Sequence, residues 1–378
     1  MKTGLLKKAG VLLMAAAVTV GSVWCVGKNS SAAENDLKSI YSSGDVNAEA
    51  GVEQTHEFSV EAGKSVCTSN KALVAAHGPE LLAMAKARKL NFMFEASVGG
   101  GIPIIRPLNQ CLTADEITQI TGILNGTTNY ILTKMSTQGS SYEDVLKEAQ
   151  QLGYAERNPE ADVEGYDACR KIAILTSLAF GSTVNYEDVC TEGITKITTE
   201  DFKYAEKIGC VVKLLATSKK INDKVYAITA PFLIEKEHPL YNVNDVLNGI
   251  YIKGNVIGDV MFFGAGAGKL PTASAVVADV VDCVKHKGTN VMTVWSSEKI
   301  ELGNVEEVER YFFVRVKGSV DKDLSEVEKA FGDIDVVTVD GIDGEFGFVT
   351  SLMTEKAFNT AASNVEVINR IRIDKTRI

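Results

Sequence analysis

Residues 64–95 have the sequence KSVCTSNKALVAAHGPELLAMAKARKLNFMFE, and this stretch indicates an α/β fold. Its two ends, residues 65–68 and 91–95, are short runs of residues that favour β-strands. Between them, apolar residues recur at helical spacing over residues 79–88. A strand, a helix and a second strand predict a crossover connection that makes the strands parallel, as in half of a nucleotide-binding domain.

The residues ahead of this unit lack the glycine-rich turn and the ribose-binding acid that complete such a domain. Lysines before an apolar run at 9–26, with small residues up to position 33, are typical of a signal peptide or membrane anchor. The alternative is a buried first strand and helix, with residues 18–23 as a degenerate nucleotide-binding turn. Residues 32–63 are polar and aperiodic, which indicates a linker or irregular structure.

The composition is that of a globular chain. The 378 residues are 45% hydrophobic and 23% charged, which excludes a wholly disordered protein. The net charge of -10 comes without a basic stripe, so no nucleic-acid partner is expected. The cysteines show no CxxC spacing and no two histidines stand four residues apart, which argues against a disulfide framework, a zinc site or a histidine metal site.

Three polar or glycine-rich stretches are candidates for ligand contact. In residues 95–105, EASVGGGIPII, a carboxylate and backbone carbonyls would suit a hard cation, and a tight turn is the alternative. In residues 124–130, LNGTTNY, amides and hydroxyls either face a polar substrate or cap the next helix. In residues 261–275, MFFGAGAGKLPTASA, a helix expected to start near Pro271 would offer free N–H groups to an anion.

Asp167 and Lys171 point most directly to chemistry. They stand four residues apart, so they share one face of the helix that is predicted to open over residues 158–171. Residues 172–180 are nearly all apolar, which places Lys171 where the helix enters a core. A lysine held there by a carboxylate suits a proton donor, and an exposed surface ion pair is the alternative.

The C-terminal residues 310–378, called the tail below, have the pattern of a small separate module. Strands are predicted over residues 311–316, 336–339, 346–352 and 367–373, and helices over residues 324–331 and 355–363. The order βαββαβ predicts a ferredoxin-like layer of helices on a sheet. Such a module either binds a small regulator or only helps two chains to associate.

A series of longer motifs runs through residues 61–303: NKALVA (70–75), EASVGGGIPII (95–105), LNGTTNYIL (124–132), EAQQLGYAE (148–156), DACRKIAIL (167–175), HPL (238–240), and GAGAG (264–268) with PTASAVVAD (271–279). In these motifs and their order, residues 61–303 resemble the homoserine dehydrogenase family. The tail looks like the ACT module of many bacterial members.

The resemblance implies an α/β fold class with three parts. These are a partial Rossmann-type nucleotide-binding domain, an α+β substrate and dimerisation domain, and a C-terminal ferredoxin-like, ACT-like domain. The signal-like or degenerate segment is expected at residues 1–33, and the remnant of the dinucleotide-binding domain at residues 34–95. The catalytic domain is expected at residues 96–305, and its residues 264–300 are expected to return to the nucleotide domain. The ACT-like domain is expected at residues 310–378.

The activity implied by the resemblance is the reversible, NAD- or NADP-dependent reduction of L-aspartate 4-semialdehyde to L-homoserine, on the route to threonine and methionine. By family position, Lys171 is the proton donor to the carbonyl oxygen, and Asp167 and Asp162 orient Lys171 and the substrate. Glu156 binds the substrate amino group. Two anions and one cation complement an amino-acid aldehyde and its developing alkoxide.

The resemblance also implies cofactor and metal positions. Thr68, Lys71 and Gly264 contact the cofactor, and Lys71 contacts the substrate as well. A structural sodium ion is bound by Glu95 together with the backbone carbonyls of Val98, Gly100 and Ile102.

Family members carry a Gly-x-Gly-Thr-Val-Gly turn near their N-terminus, where this chain has the apolar run. The resemblance therefore predicts weakened cofactor binding, with a non-catalytic, amino-acid-binding or oligomerising protein as the alternative. It also implies a homodimer or higher homo-oligomer formed through the sheet of the substrate domain, and an amino-acid effector at the tail. The family location is the cytoplasm, whereas the signal-like segment predicts export or anchoring.

Overall fold

The computed structural model describes residues 59–375 and the backbone of Val23–Val26. The chain divides into two compact units. Unit one takes its described residues from positions up to 115, from 174–185 and from 267–300. The described residues of unit two are 116–173, 186–266 and 301–375.

Unit one contains the predicted strand, helix and strand. β2 Ser65–Thr68 leads through α1 Lys71–Ala87 to β3 Phe92–Met93, and the two strands pair in parallel, as predicted. The helix begins well ahead of residue 79, because the Asn70 side chain accepts hydrogen bonds from the first main-chain N–H groups of the helix.

Unit one also contains β1 Val23–Val26, antiparallel to β2, the parallel pair β5 Ser182–Thr183 and β11 Ser296–Lys299, and the helix α7 Lys269–Lys285. α7 packs on β2 through buried Cys283 and Cys67. Except for residues 23–26, the predicted signal-like segment, degenerate turn and linker lie outside the described residues. Over the part of the chain that is described, no helix has the length and apolar character needed to cross a bilayer.

A long mixed sheet organises unit two. Its strands are β4 Ile117–Ile123, β6 Cys190–Thr191, β7 Cys210–Ile221, β8 Lys224–Glu235, β9 Leu247–Gly254, β10 Gly258–Ala265, β12 Glu309–Lys317, β13 Ile334–Val337, β14 Glu345–Thr350, β15 Met353–Thr354 and β16 Val367–Asp374. Their spatial order is β10-β9-β4-β7-β8-β16-β12-β14-β13, with β6 beside β8 and β15 beside β12. The structure thus agrees with the predicted mixed α/β class.

The helices of unit two cover this sheet. They are α2 Gly126–Gln138, α3 Tyr142–Gln151, α4 Glu160–Val163, residues 166–173 of α5 Tyr166–Phe180, α6 Thr199–Lys207, α8 Val320–Phe331 and α9 Glu355–Ala362. A buried cluster that includes Ile131, Leu132 and Leu233 packs α2 against the sheet. Burial of such side chains stabilises each by about 1.5–3 kcal/mol.

The tail has the predicted βαββαβ order, with the short β15 added before α9. Its strands lie in the order β16-β12-β14-β13, the ferredoxin-like arrangement. The expectation of a separate module differs from the structure, because β16 pairs in parallel with β8 and extends the same sheet. A strand edge that pairs with its neighbour satisfies backbone groups that would otherwise need water. The four-part domain division stays a prediction.

Lys213 of β7 is a buried lysine whose hydrogen-bond partners, among the described residues, are neutral oxygen atoms. Its Nζ donates to the carbonyl oxygen of Val243 at 2.6 Å and to Oδ1 of Asn244 and Asn129 at 2.9 and 3.3 Å. These bonds tie β7 to α2 and to the segment before β9. Burial lowers the pKa of Lys213 to about 8.

The free energy of unfolding is expected to depend on pH through Lys213. In the unfolded chain a lysine has a pKa of about 10.4, so between that value and the native one the unfolded state binds more protons. The contribution of Lys213 to stability therefore rises with pH from about 8 to about 10.4. The free energy of unfolding is measured with urea for wild type and Lys213→Met. From about pH 8 to about pH 10.4, it should increase for the wild type relative to Lys213→Met. Parallel curves would contradict the prediction, and Lys207→Met is the exposed control.

Candidate active site

Lys171 of α5 lies beside the end of β4. Its Nζ donates to Oδ2 of Asp167 and to the carbonyl oxygen of Leu124, both at 2.7 Å. The side chains of Lys171 and Asp167 are only 12% and 5% exposed. The alternative of an exposed surface ion pair is therefore wrong. A buried pair of this kind needs further hydrogen bonds to offset the desolvation of both charges.

Asn125 supplies those further bonds. Its Nδ2 donates to Oδ1 of Asp162 at 2.7 Å and to Oδ2 of Asp167 at 2.9 Å. Its Oδ1 accepts from the main-chain N–H of Thr128 at 2.8 Å, which caps α2. The residue thus combines both interpretations of the 124–130 stretch, as a helix cap and as a polar group of the site.

A break between two helices brings Asp162 and Asp167 to the same amide. Asp162 lies in α4, which ends before Gly165, and Asp167 lies in the first turn of α5. Gly165 has a φ of +83°, in the left-handed region that favours glycine. The expectation of one helix over this stretch is therefore wrong. In a continuous helix, residues five apart project in different directions, because each residue turns the helix by about 100°.

Glu156 lies in the exposed loop between α3 and α4. The hydroxyl of Thr127 donates to the carbonyl oxygen of Tyr154 at 2.7 Å, which ties this loop to the first turn of α2. In the described part of the chain, no hydrogen bond or ion pair joins the Glu156 carboxylate to the cluster of Asn125, Asp162, Asp167 and Lys171, called the lysine cluster below.

Two of the predicted cofactor residues belong to unit one. Thr68 ends β2 and is fully buried, and its hydroxyl oxygen accepts a hydrogen bond from the Asn70 N–H at 3.2 Å. Lys71 is the first residue of α1 and is half-buried.

Gly264 lies in β10 of unit two, opposite Asn248 of β9. The nearby Gly266 packs on the Asn248 side chain so closely that an added Cβ would lie 2.0 Å from its amide carbon. The following helix α7 begins at Lys269, so that Pro271 falls in its first turn rather than at its start.

The Glu95 carboxylate is surrounded by hydrogen-bond donors. Its Oε1 accepts from the main-chain N–H groups of Ile104 and Ile105 at 2.6 and 2.8 Å. Its Oε2 accepts from the main-chain N–H and the Nε of Arg106 at 2.9 and 3.0 Å. These four donors occupy the positions at which the carboxylate would hold a cation, so this half of the expected sodium site does not fit.

Unlike the Glu95 carboxylate, the three carbonyl groups expected to bind the sodium ion have no hydrogen-bond donors among the described residues. Val98, Gly100 and Ile102 are buried, and no donor from the described residues bonds to their main-chain oxygen atoms. Gly99 and Gly100 have φ values of +72° and +58°, a conformation that their lack of a side chain permits. Buried oxygen atoms without donors fit a hard cation held through carbonyl groups.

Comparisons with known proteins identify the family of the chain. The sequence model of the homoserine dehydrogenase family matches residues 103–281. A homoserine dehydrogenase from Thiobacillus denitrificans has a crystal structure with a TM-score of 0.79 and 35% identity, covering 85% of this chain and 79% of that one. The chain belongs to the homoserine dehydrogenase family.

Two further relatives were found. The homoserine dehydrogenase of Bacillus subtilis is 48% identical over 239 residues, which are 62% of this chain and 55% of that protein. The chain thus spans about half the length of the curated relatives it matches. A hyperthermophilic archaeal homoserine dehydrogenase in complex with NADPH has a TM-score of 0.55 at 32% identity, covering 62% of this chain and 68% of that one.

Sequence reasoning found Lys171, Asp167 and Asp162 but gave Asn125 and the Leu124 carbonyl no role in the cluster. The available signal was local. Asn125 follows the end of a strand by two residues and caps the next helix, so its side chain lies in the connection between the two elements.

Proposed function

We propose that this chain catalyses the reversible reduction of L-aspartate 4-semialdehyde to L-homoserine with NAD(P)H. The observation that carries the proposal is the buried Lys171 ammonium, bonded to Asp167 and to the Leu124 carbonyl oxygen at 2.7 Å. The family membership of the chain supports the choice of substrate.

Lys171 donates a proton to the carbonyl oxygen of the aldehyde as that oxygen becomes an alkoxide. Asp167 fixes the position of the ammonium, and Asn125 holds Asp167 and Asp162 so that both carboxylates keep their orientation. The cluster carries two negative charges and one positive charge, so it attracts the substrate ammonium while a positive charge faces the developing alkoxide. In the reverse direction Lys171 accepts the proton of the homoserine hydroxyl. Glu156 is the proposed partner of the substrate amino group.

Thr68, Lys71 and Gly264 are the proposed cofactor-binding residues, and Lys71 also contacts the substrate. The nicotinamide coenzyme supplies the hydride that reduces the aldehyde carbon. The NADPH complex of the archaeal relative supports NADP as one coenzyme. A sodium ion is proposed at the carbonyl oxygen atoms of Val98, Gly100 and Ile102, where it has a structural role.

The direct test is oxidation of L-homoserine by the purified full-length chain, with NADP⁺ and NAD⁺ titrated separately and absorbance at the reduced-coenzyme band as the measurement. Coenzyme reduction that depends on homoserine is expected. A folded protein that gives no reduction at saturating coenzyme would refute the proposal and favour the amino-acid-binding alternative. That alternative is not favoured, because Lys171 is bonded to Asp167 and to the Leu124 carbonyl oxygen as a proton donor requires.

A homodimer is proposed to form through β10, the edge strand of the unit-two sheet. Apolar side chains are exposed there: Phe263 is 55% exposed and Met261 is 37% exposed. Phe263→Glu places a charge on this edge and is expected to convert a dimer to a monomer, as measured by light scattering. Val336→Glu, on the opposite edge strand β13, is the matched control. A dimer that persists in Phe263→Glu would contradict this interface.

An amino-acid effector is proposed for the tail, and the cytoplasm is proposed as the location. The ferredoxin-like strand order supports the first, and the coenzyme requirement of the family supports the second. Calorimetric titration of the full chain with threonine tests the effector, and absence of heat would exclude threonine.

A further inference from the structure

We infer that Glu192 is a positioning residue for the lysine cluster and that Arg372 of the tail holds it in place. The inference rests on the proposed function for its kinetic consequence, whereas its structural part stands on contacts within unit two. Neither residue belongs to the motifs that carry the family resemblance.

Arg372 is a buried arginine of β16 with two carboxylate partners. Its guanidinium donates to both oxygen atoms of Glu192, at 2.8 and 2.6 Å, and to both oxygen atoms of Glu355, at 3.0 and 2.6 Å. The Arg372 side chain is 2% exposed. Glu355 belongs to the tail, whereas Glu192 belongs to the segment after β6. Paired bonds of this kind are among the strongest and most directional that side chains form.

The segment that contains Glu192 lies against the connection between α4 and α5. The main-chain N–H of Ile194 donates to the Val163 carbonyl oxygen at 2.8 Å. The hydroxyl of Thr195 donates to Oε1 of Glu164 at 3.1 Å. On its other side, the main-chain N–H of Glu192 donates to the carbonyl oxygen of Thr229 in β8 at 2.8 Å. The segment therefore joins the sheet to this connection.

Gly193 leaves no space between these segments, and Gly165 lies within van der Waals distance of the Glu192 carbonyl group. A Cβ on Gly193 would lie 2.3 Å from the Val163 carbonyl oxygen and 2.6 Å from the Glu164 Cα. A Cβ on Gly165 would lie 3.4 Å from the Glu192 carbonyl oxygen. Because backbone meets backbone here, a displacement of residues 192–194 must be accepted by residues 163–165.

That connection sets the distance between the two carboxylates of the cluster. Asp162 directly precedes Val163, and Asp167 follows Gly165 by two residues, so residues 163–165 determine how both carboxylates meet the Asn125 amide. Misplacement of reacting groups by about 1 Å can lower a rate by about 100-fold. Contacts thus run from the tail to the proposed proton donor through Arg372, Glu192 and the α4–α5 connection.

The tail contains a second buried arginine that provides a matched control. Arg315 donates to Glu345 of the tail and to Asp201 of α6. Glu192 also pairs with Arg370, at 3.4 Å. Glu192→Ala leaves both Arg372 and Arg370 paired with Glu355, and Glu345→Ala leaves Arg315 paired with Asp201. Each variant therefore removes one carboxylate from a doubly paired buried arginine, but only the first carboxylate lies in the segment that packs on the α4–α5 connection.

The experiment uses the full chain labelled with ¹⁵N-asparagine, with the Asn125 side-chain amide signal assigned by Asn125→Ser. In Glu192→Ala we expect this signal to shift and its hydrogens to exchange faster with solvent. In Glu345→Ala we expect it to stay at its wild-type position. In homoserine oxidation, kcat of Glu192→Ala should fall by about tenfold, with KM less affected, and Glu192→Gln should recover part of the loss.

An unchanged Asn125 signal in Glu192→Ala would overturn the inference, and so would an equal shift in both alanine variants. A shift confined to Glu192→Ala in a chain that oxidises no homoserine would uphold the structural inference while the proposed function fails. A shift accompanied by wild-type kcat in an active chain would overturn the kinetic role of Glu192.

Discussion

Lys171→Met is expected to lower kcat for homoserine oxidation by about 10²–10⁴-fold, the usual contribution of a positioned general acid or base. Methionine fills a similar volume and keeps an apolar stem, so the helix and its packing should persist. What disappears is the ammonium that lies 2.7 Å from Asp167. The measurement is the steady-state rate at saturating homoserine and coenzyme, with circular dichroism to verify that the variant is folded.

Two further variants separate charge from proton transfer. Lys171→Arg retains a positive charge beside Asp167 but cannot give up its proton at working pH, so it should remain nearly as slow as Lys171→Met. Lys134 of α2 forms an ion pair with Asp245 at 3.4 Å, outside the lysine cluster. The control variant Lys134→Met should therefore retain wild-type activity. Wild-type kcat in Lys171→Met would exclude the proposed proton donor.

Asn125→Asp is expected to lower kcat/KM by about 100-fold. The substitution keeps the cap of α2, because aspartate and asparagine cap helices equally well. It replaces a donor to Asp162 and Asp167 with a third carboxylate, and like charges at hydrogen-bond distance repel each other. The expected result is therefore a folded chain in which Asp167 no longer holds Lys171 in its active position.

The control for this variant is Asn304→Asp. Asn304 is an exposed asparagine that also caps a short helix, Val305–Glu307, by accepting the main-chain N–H of Glu306 at 3.0 Å. Kinetics and thermal unfolding of the two variants are compared. If Asn125→Asp retains wild-type kcat/KM, the Asn125 amide is a helix cap alone and does not organise the cluster.

Features that depend on neighbours along the chain were predictable. The pairing of Asp167 with Lys171 follows from their spacing on one helical face, and the parallel strands β2 and β3 follow from the helix between them. The tail has the predicted order of strands and helices, because its turns and hydrophobic periods are short-range signals.

Errors arose where an interaction came from outside the local pattern. The predicted single helix around Asp162 is broken at Gly165, and the early start of α1 depends on the cap at Asn70. The Glu95 carboxylate, expected to bind a cation, accepts hydrogen bonds from Arg106 and from the main-chain N–H groups of Ile104 and Ile105. Secondary-structure propensity and residue spacing do not predict which donors lie within hydrogen-bond distance of a buried carboxylate.

The amino-acid sequence by itself determined the family, the α/β class and the lysine with its carboxylate partner, because these depend on residue identity and on spacing within single elements. Only the tertiary structure decided that Asn125 meets Asp162, 37 residues away, and that Arg372 meets Glu192, 180 residues away. The physical reason is that buried charges take whichever donors the packed strands and helices bring near them. That choice is made by the fold as a whole and leaves no periodic trace in the sequence.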